Sequence, residues 1–117
     1  MKSKTKKTDQ ELIKLIRELK KQSNKQNVEI WKAVASILQK PTRKRINVNL
    51  YKINKYSRDN ETVVVPGKVL GVGDIKKNIT IAAYRYSESA QNKIKNKMSI
   101  QEEIKKNPNG NKVRIIT

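Results

Sequence analysis

The sequence predicts one small mixed domain in which two helices come first and short strands and helices follow. Three observations support this. The length of 117 residues fits a single domain. Residues 8–40 have apolar side chains at helical spacing, and β-branched runs bounded by turn residues begin near residue 62. Because only 35% of the residues are hydrophobic and one Trp and four Tyr are the only aromatic residues, we expect a small aliphatic core.

The N-terminal segment predicts a basic arm followed by a capped amphipathic helix. Residues 1–7 contain no side chain suited to a core, and as an isolated segment they are expected to be disordered, with the positive charge of Lys2, Lys4, Lys6 and Lys7. The single domain is expected to span residues 8–117. Thr8 and Glu11 have the spacing of a capping box, and an apolar stripe follows at helical spacing: Leu12, Leu15, Ile16 and Leu19.

A second helix is predicted after a polar linker at residues 22–26. Asn27 is a plausible N-cap, and Pro41 is expected to end the helix. The apolar stripe between them consists of Trp31, Val34, Ala35 and Leu38. The densest basic cluster, residues 43–45, follows, and residues 46–56 predict an extended stretch that enters a short third helix.

The rest of the chain predicts short strands and two further helices. We expect a strand at residues 62–65, broken by Pro66 and Gly67 and resumed at residues 68–72, and another at residues 79–84. Ser87 is a candidate N-cap, and Ser99 with Glu102 forms a second capping-box pattern. Residues 113–116 predict a terminal strand.

The composition argues against catalysis. The chain has no Cys and no His, which excludes thiolate and imidazole metal sites and His-dependent triads, so no metal or cofactor is expected. Gly71 and Gly73 lack the third glycine of a dinucleotide fingerprint and predict a turn. Glu102 and Glu103 are explained as helix-start residues. We therefore predict a protein that is not an enzyme; an RNA-acting enzyme built on Asp74 or Glu61 is the remaining catalytic alternative.

The chain has no apolar run of about 18 residues, so no transmembrane helix is expected. A helix on a membrane surface would expose bulky apolar residues opposite its basic face. The apolar stripes of the first two helices are more economically used against each other, so no membrane association is expected. Its basic start is not followed by the apolar segment and small-residue cleavage site of a signal peptide. We expect a soluble cytoplasmic protein without a small-molecule substrate.

The positive charge is the strongest functional signal. Lys and Arg number 28 against 10 Asp and Glu, a formal net charge of +18. Self-repulsion opposes such a surface unless a polyanion neutralises it, and each cation placed on a phosphate releases counterions. Few aromatic residues argue against a stacking platform for single strands. The prediction is therefore folded RNA bound by its shape and backbone, with a general, chromatin-like DNA-binding protein as the alternative.

The string ETVVVPGKVLG at residues 61–71 resembles a signature of the archaeal and eukaryotic large-subunit ribosomal protein family L-eighteen-e, related to bacterial L-fifteen. Matching blocks follow in the same order along nearly the whole chain: Leu38 to Pro41, Val48 to Leu50 with Ile53, Glu61 to Ile75, Ile79 to Ala83, Ser87 with Ala90, Lys93 and Ile94, and Asn107 to Gly110 leading into Val113 to Ile115. Tyr86 stands where the family pattern usually has Phe.

The resemblance implies a compact α+β domain, with N-terminal helices followed by an irregular superhelix of β-β-α units. It also implies a non-catalytic constituent of the large ribosomal subunit, whose partners are ribosomal RNA and neighbouring ribosomal proteins. The predicted RNA-binding residues are Lys2, Lys4, Lys6, Lys7, Arg43, Lys44, Arg45, Asn49, Arg58, Lys68, Lys76, Lys77, Arg85, Lys93, Lys112 and Arg114.

Overall fold

The computed structural model describes the backbone of residues 7–40 and 46–117, and the side chains of these ranges from residue 10 onward. Two helices come first, and strands and shorter helices follow, which confirms the α+β prediction. The elements are α1 (Lys7–Gln26), α2 (Glu29–Gln39), β1 (Asn47–Asn49), α3 (Leu50–Tyr56), β2 (Thr62–Leu70), β3 (Thr80–Tyr86), α4 (Glu88–Lys93), β4 (Lys97–Ser99), α5 (Ile100–Lys106) and β5 (Val113–Ile115).

All strand pairs in the sheet are parallel, and the strand order is β1-β2-β3-β4 with β5 also paired to β2. Strand β3 runs along one edge of β2. The other edge is shared, because β5 pairs with Thr62–Val64 and β1 pairs with Lys68–Leu70. Strand β2 is therefore the central strand, and β1 and β5 both pair with the same edge of it.

Strand β2 continues through Pro66 and Gly67, so the predicted break there is wrong. Proline has no backbone N–H for a ladder hydrogen bond and is confined to bulges or edges of sheets. The pairing with β3 shifts at this point, from Val65 opposite Ala83 to Lys68 opposite Arg85, so that β2 holds one residue more than β3. The strand accommodates proline by a change of register instead of ending.

The boundary between α1 and α2 also differs from the prediction. Residues 22–26 extend α1, and the predicted polar linker is wrong. Asn27 has φ 54°, the left-handed conformation that asparagine tolerates after a helix, and Val28 occupies the N-cap position of α2. At the other end, α1 begins at Lys7, so Thr8 lies inside the first turn and does not occupy the N-cap position.

The two faces of the sheet carry separate hydrophobic clusters, because side chains alternate along β2 and β3. On the face that we call the α1–α2–α5 face, Val64 and Ala82 contact the apolar stripes of these three helices and Trp31. On the opposite α3–α4 face, Val63 and Val65 pack with residues of the two short helices. The predicted core positions of α1 and α2, including fully buried Trp31, are confirmed, except that Ile16 is only partly buried against the same cluster.

The caps of the short helices agree with the sequence. The Ser99 Oγ accepts from the Glu102 amide and the Glu102 carboxylate accepts from the Ser99 amide, which completes the predicted capping box of α5. The Ser87 Oγ accepts from the Ala90 amide at the start of α4. The terminal strand is confirmed as β5, whereas β4 is not anticipated by the sequence pattern. No helix in the described ranges is long and apolar enough to cross a bilayer.

Candidate nucleic-acid interface

The predicted RNA-binding residues divide into those whose side chains the structure describes and those it does not. Lys2, Lys4, Lys6, Arg43, Lys44 and Arg45 lie outside the described residues, and Lys7 begins α1 without a described side chain. The remaining nine lie mainly in the loops and strand ends around the sheet: Asn49, Arg58, Lys68, Lys76, Lys77, Arg85, Lys93, Lys112 and Arg114. Their roles as RNA contacts stay a prediction.

Arg114 already has a carboxylate partner. Its Nε lies 2.9 Å from Oε1 of Glu61, and its second guanidinium nitrogen lies 3.0 Å from Oε2. Hydrogen bonding with this guanidinium lowers the pKa of Glu61 and raises that of Arg114. Because a fork of this kind uses two of the donors of the guanidinium, Arg114 positions the start of β2 against β5 and has fewer donors left for a phosphate.

Lys93 holds the turn between β2 and β3. Its ammonium group donates to the carbonyl oxygens of Gly71 at 2.8 Å and Gly73 at 3.1 Å, and lies 4.0 Å from the Asp74 carboxylate. Gly73 has φ +99°, a conformation that other residues rarely adopt, and a Cβ there would meet the Tyr51 amide nitrogen at 2.5 Å. Gly73 is thus required by the turn, in agreement with the turn that the sequence predicts at this position.

Two more predicted contacts have structural roles. The Lys77 ammonium donates to the carbonyl oxygen of Ser57, and the Asn49 Oδ1 accepts from the Val72 amide at 3.3 Å. Both bonds connect the segment around α3 to the connection between β2 and β3. A group that is held in this way presents its remaining hydrogen-bonding capacity in a fixed position, which is useful for recognition.

The other described members of the predicted set are exposed. The Arg85 guanidinium lies 5.2 Å from the centre of the Tyr84 ring, a cation–π distance. The Arg58 amide donates to Glu61 Oε1 at 2.8 Å while the side chain is exposed. Solvent-facing side chains complete the group: Lys68, Lys76 and Lys112.

A basic groove between α1 and α5 was missed by the sequence analysis. The groove has a volume of about 450 Å³, and cations from both helices line it, accompanied by Glu18: Lys14, Arg17, Lys21 and Lys105. The first three recur at positions i, i+3 and i+7, which places them on one face of a helix. This spacing could have predicted a basic face on α1 from the sequence. The contribution of Lys105, however, depends on the tertiary contact between α1 and α5.

Exposed aromatic residues were also missed. Tyr51 and Tyr56 of α3 are 58% and 53% exposed, and Val72 beside the Gly71 turn is 62% exposed. The Lys55 ammonium lies 5.4 Å from the centre of the Tyr56 ring. The small number of aromatic residues suggested that no stacking surface exists. The structure nevertheless places two tyrosine rings in solvent, one of them beside a cation, and unstacked bases can lie on such rings.

Burial changes the titration of two groups that face the interior. Desolvation raises the pKa of Glu103, which is 2% exposed and accepts from Asn107 Nδ2 at 3.3 Å. Burial raises the pKa of Tyr86 to about 12. The Tyr86 hydroxyl lies 2.6 Å from the Met98 carbonyl oxygen and 2.9 Å from that of Ile81, and its proton can serve either. The hydroxyl at this position therefore bridges β3 and β4.

The carboxylates considered for acid–base chemistry have partners in the described part of the chain. No group of three or more His, Cys, Asp or Glu that could hold a metal occurs among the described residues. Glu61 is engaged by Arg114 and Glu102 completes a capping box. Asp74 lies close to Lys93. Each of these three carboxylates therefore has a structural partner.

Comparison with known proteins identifies the family of the chain. Residues 10–97 match the family model described as the ribosomal proteins 50S-L15, 50S-L18e and 60S L-twenty-seven-A. The chain is 42% identical to the large ribosomal subunit protein eL18 of Methanococcus maripaludis, covering 93% of this chain and 94% of the relative. Identity to the eL18 protein of Archaeoglobus fulgidus is 45%, over 94% and 97% of the two chains. The family resemblance predicted from the sequence is confirmed, and the chain belongs to the ribosomal protein family that includes 50S-L15 and 50S-L18e.

Proposed function

We propose that this protein is a structural constituent of the large ribosomal subunit that binds and stabilises folded ribosomal RNA through Lys and Arg contacts to the phosphate backbone. Neighbouring ribosomal proteins are its other partners. The observation that carries the proposal is the full-length similarity to large-subunit proteins in a chain with a net charge of +18. Membership of a family of ribosomal proteins agrees with the prediction that the chain is not an enzyme.

The placement of the cations supports this proposal. Exposed Lys and Arg side chains occur in the groove between α1 and α5, along β2 and β3, and in the connections between strands. Cations on several sides of a small protein suit a position between segments of folded RNA better than a position on one face of a duplex. Residues 1–7 and 43–45 add the two densest basic segments, and we assign both to RNA contacts.

Sedimentation of cell extracts is the direct test. We expect the protein to travel with large ribosomal subunits and to remain with them after a high-salt wash, because recognition of the shape of folded RNA adds contacts that are not ion pairs and that salt does not screen. Release of the protein into the soluble fraction at moderate salt, or sedimentation with chromosomal DNA, would contradict the proposal.

Competition between large-subunit ribosomal RNA and duplex DNA separates specific RNA binding from general polyanion binding. We expect preference for the RNA at physiological salt. Replacing Arg43, Lys44 and Arg45 by Ala should reduce the slope of log affinity against log salt by about one for each lost phosphate contact. A matched triple substitution of exposed lysines outside the predicted set, Lys32, Lys97 and Lys106, should change the slope less. Equal slopes in the two variants would remove residues 43–45 from the interface.

A further inference from the structure

A cleft of about 290 Å³ lies at the edge of the sheet where β3 and β4 begin. It is enclosed by the connection between β2 and β3 and the connection between α4 and β4, and four cations line it: Lys76, Lys77, Lys93 and Lys95. None of the described lining residues is acidic, so the cleft concentrates positive potential. Its volume is near the lower end of the range of about 300 to 1,000 Å³ for small-molecule sites.

The four lysines of this lysine cleft are of two kinds. Lys77 and Lys93 donate to backbone carbonyl oxygens, of Ser57 and of Gly71 and Gly73, and Lys93 lies 4.0 Å from Asp74. The exposed Lys76 and Lys95 side chains have no hydrogen-bond or ion-pair partner within the described residues. The first pair therefore shapes the cleft, and the second pair is free to contact an anion that enters it.

The floor of the lysine cleft is apolar. Four isoleucines form it: Ile75, Ile79, Ile81 and Ile94. Ile75 is partly buried and Ile79 and Ile94 are 5% and 8% exposed, so these three side chains form the outer surface of the core on the α3–α4 face, with fully buried Ile81 beneath them. A site for inorganic phosphate alone has no use for such a floor, whereas the flat face of a nucleobase is stabilised by apolar contact.

Two asparagines add hydrogen-bonding groups at the rim. The Asn78 amide side chain is oriented by a 3.1 Å bond from its Nδ2 to Asn60 Oδ1. The Asn96 side chain is exposed and has no partner among the described residues, while its backbone oxygen accepts from the Ile81 amide at 2.9 Å. A primary amide offers both a donor and an acceptor, the combination that the edge of a base can match.

We propose that the lysine cleft holds one unpaired nucleotide of the bound RNA. The base lies against the isoleucine floor, its edge meets the Asn96 amide, and the adjoining phosphate contacts Lys76 and Lys95. The inference rests on the proposed function and goes beyond it, because contacts to the phosphate backbone alone do not require a nucleotide to leave its helix. Most sequence-specific recognition of RNA uses such unstacked bases.

Filling the cleft without changing its charge tests the proposal. Asn96→Trp places a large side chain at the rim, and Asn92→Trp on the exposed surface of α4 is the matched control. We expect wild-type protein to protect an unpaired nucleotide in chemical probing of large-subunit ribosomal RNA. Asn96→Trp should lose this one protection and about tenfold in affinity, the effect of one lost base contact, while other protections persist. Equal affinity and equal protection in the two variants would overturn the proposal.

A second measurement does not depend on the ribosome. We expect adenosine or uridine monophosphate, titrated into isotope-labelled wild-type protein, to shift the methyl resonances of Ile79, Ile81 and Ile94, whereas inorganic phosphate shifts only the lysine signals. Identical shifts with both probes would show an anion site without a base and would overturn the proposal. Absence of RNA binding by the wild-type protein would instead remove the proposed function, and the titration would still decide on the cleft.

Discussion

The two faces of the sheet are stabilised in different ways. The α1–α2–α5 face is covered by helices of 20, 11 and 7 residues, packed around fully buried Trp31. The α3–α4 face is covered by helices of 7 and 6 residues, and side chains bonded to backbone groups hold its connections in place. Lys93, Lys77 and Asn49 all make bonds of this kind. The first face depends on apolar burial and the second on positioned polar groups as well.

The difference between the two faces indicates what kind of RNA contact each face can make. Loops that polar side chains hold in place keep cations and amides in fixed positions near solvent, which a surface needs for recognition. A face covered by long helices gains stability from its core and offers the partner mainly its exposed lysines. The α3–α4 face carries the lysine cleft and the exposed tyrosines, so we expect base recognition there and backbone contacts on both faces.

The largest expected effect is on the α1–α2–α5 face. Trp31→Ala should lower the free energy of unfolding by about 3 to 5 kcal/mol, because a large side chain at full burial leaves a cavity. It also removes the 2.8 Å bond from Trp31 Nε1 to the Pro108 carbonyl oxygen. Denaturant unfolding measures the change. Trp31→Phe, which retains most of the ring volume, should cost less, and a loss of under about 1 kcal/mol in Trp31→Ala would contradict the packing role.

A smaller effect is expected from the polar anchors of the α3–α4 face. Lys93→Met should lower the free energy of unfolding by about 1 to 2 kcal/mol, since it removes two charge-assisted bonds from a half-exposed side chain. Lys95→Met is the matched control and should change stability by less than about 0.5 kcal/mol. Chemical denaturation of both variants makes the comparison. Equal losses would show that the contacts of Lys93 with the glycine turn contribute nothing.

The helix caps permit a direct comparison between the two faces. Ser99→Ala at α5 and Ser87→Ala at α4 should each cost about 1 kcal/mol, because each leaves an amide without its acceptor. We expect the larger loss at Ser87, because the bond from the backbone amide of residue 99 to Glu102 is retained in Ser99→Ala and still holds that cap from one side. Thermal unfolding of both variants measures this. A larger loss at Ser99 would contradict this order.

The smallest expected effects are on the pH dependence of stability, to which Glu61 and Glu103 should contribute with opposite sign. The pKa of Glu61 is lowered by its bonds with Arg114, so its contribution to stability is present above the unfolded value of about 4.5 and is lost as the pH falls through the folded pKa. Glu61→Gln should therefore lose more stability at about pH 7 than at about pH 3. An equal loss at both pH values would exclude this linkage.

Burial raises the pKa of Glu103, and here the sign reverses. The folded protein retains the proton more strongly than the unfolded chain, so stability falls as the pH rises from about 4.5 through the folded pKa. Glu103→Gln lacks this titration and should gain stability relative to wild type as the pH increases over that interval. Unfolding experiments across the interval check this. A stability difference between variant and wild type that does not change with pH would contradict the effect of burial.

Structural features that depend on residues close together in the sequence were predicted correctly. The apolar stripes of α1 and α2 and the serine caps of α4 and α5 are local patterns, and the structure confirms them. The predicted linker at residues 22–26 was wrong because packing against α2 extends α1 despite its polar composition. The break at Pro66 was wrong because a change of register lets the strand continue.

The candidate interface depended on distant residues and was therefore less predictable. The list of cations could be read from the sequence, but the pairing of Arg114 with Glu61 joins residues that are 53 positions apart. The lysine cleft likewise combines residues 75–79 with residues 93–96, which only the parallel pairing of β3 and β4 brings together. Lys95 was absent from the predicted set for this reason. Exposure of Tyr51 and Tyr56 follows from how α3 packs, which its seven residues do not specify.

The extra residue in β2 has a consequence for how the length of the chain can vary during evolution. Before Pro66 the strand is paired with β5, and after Gly67 it is paired with β1. Deletion of one residue at this point would move every later side chain of β2 to the opposite face of the sheet. The Pro66-Gly67 step should therefore keep a constant length among homologues.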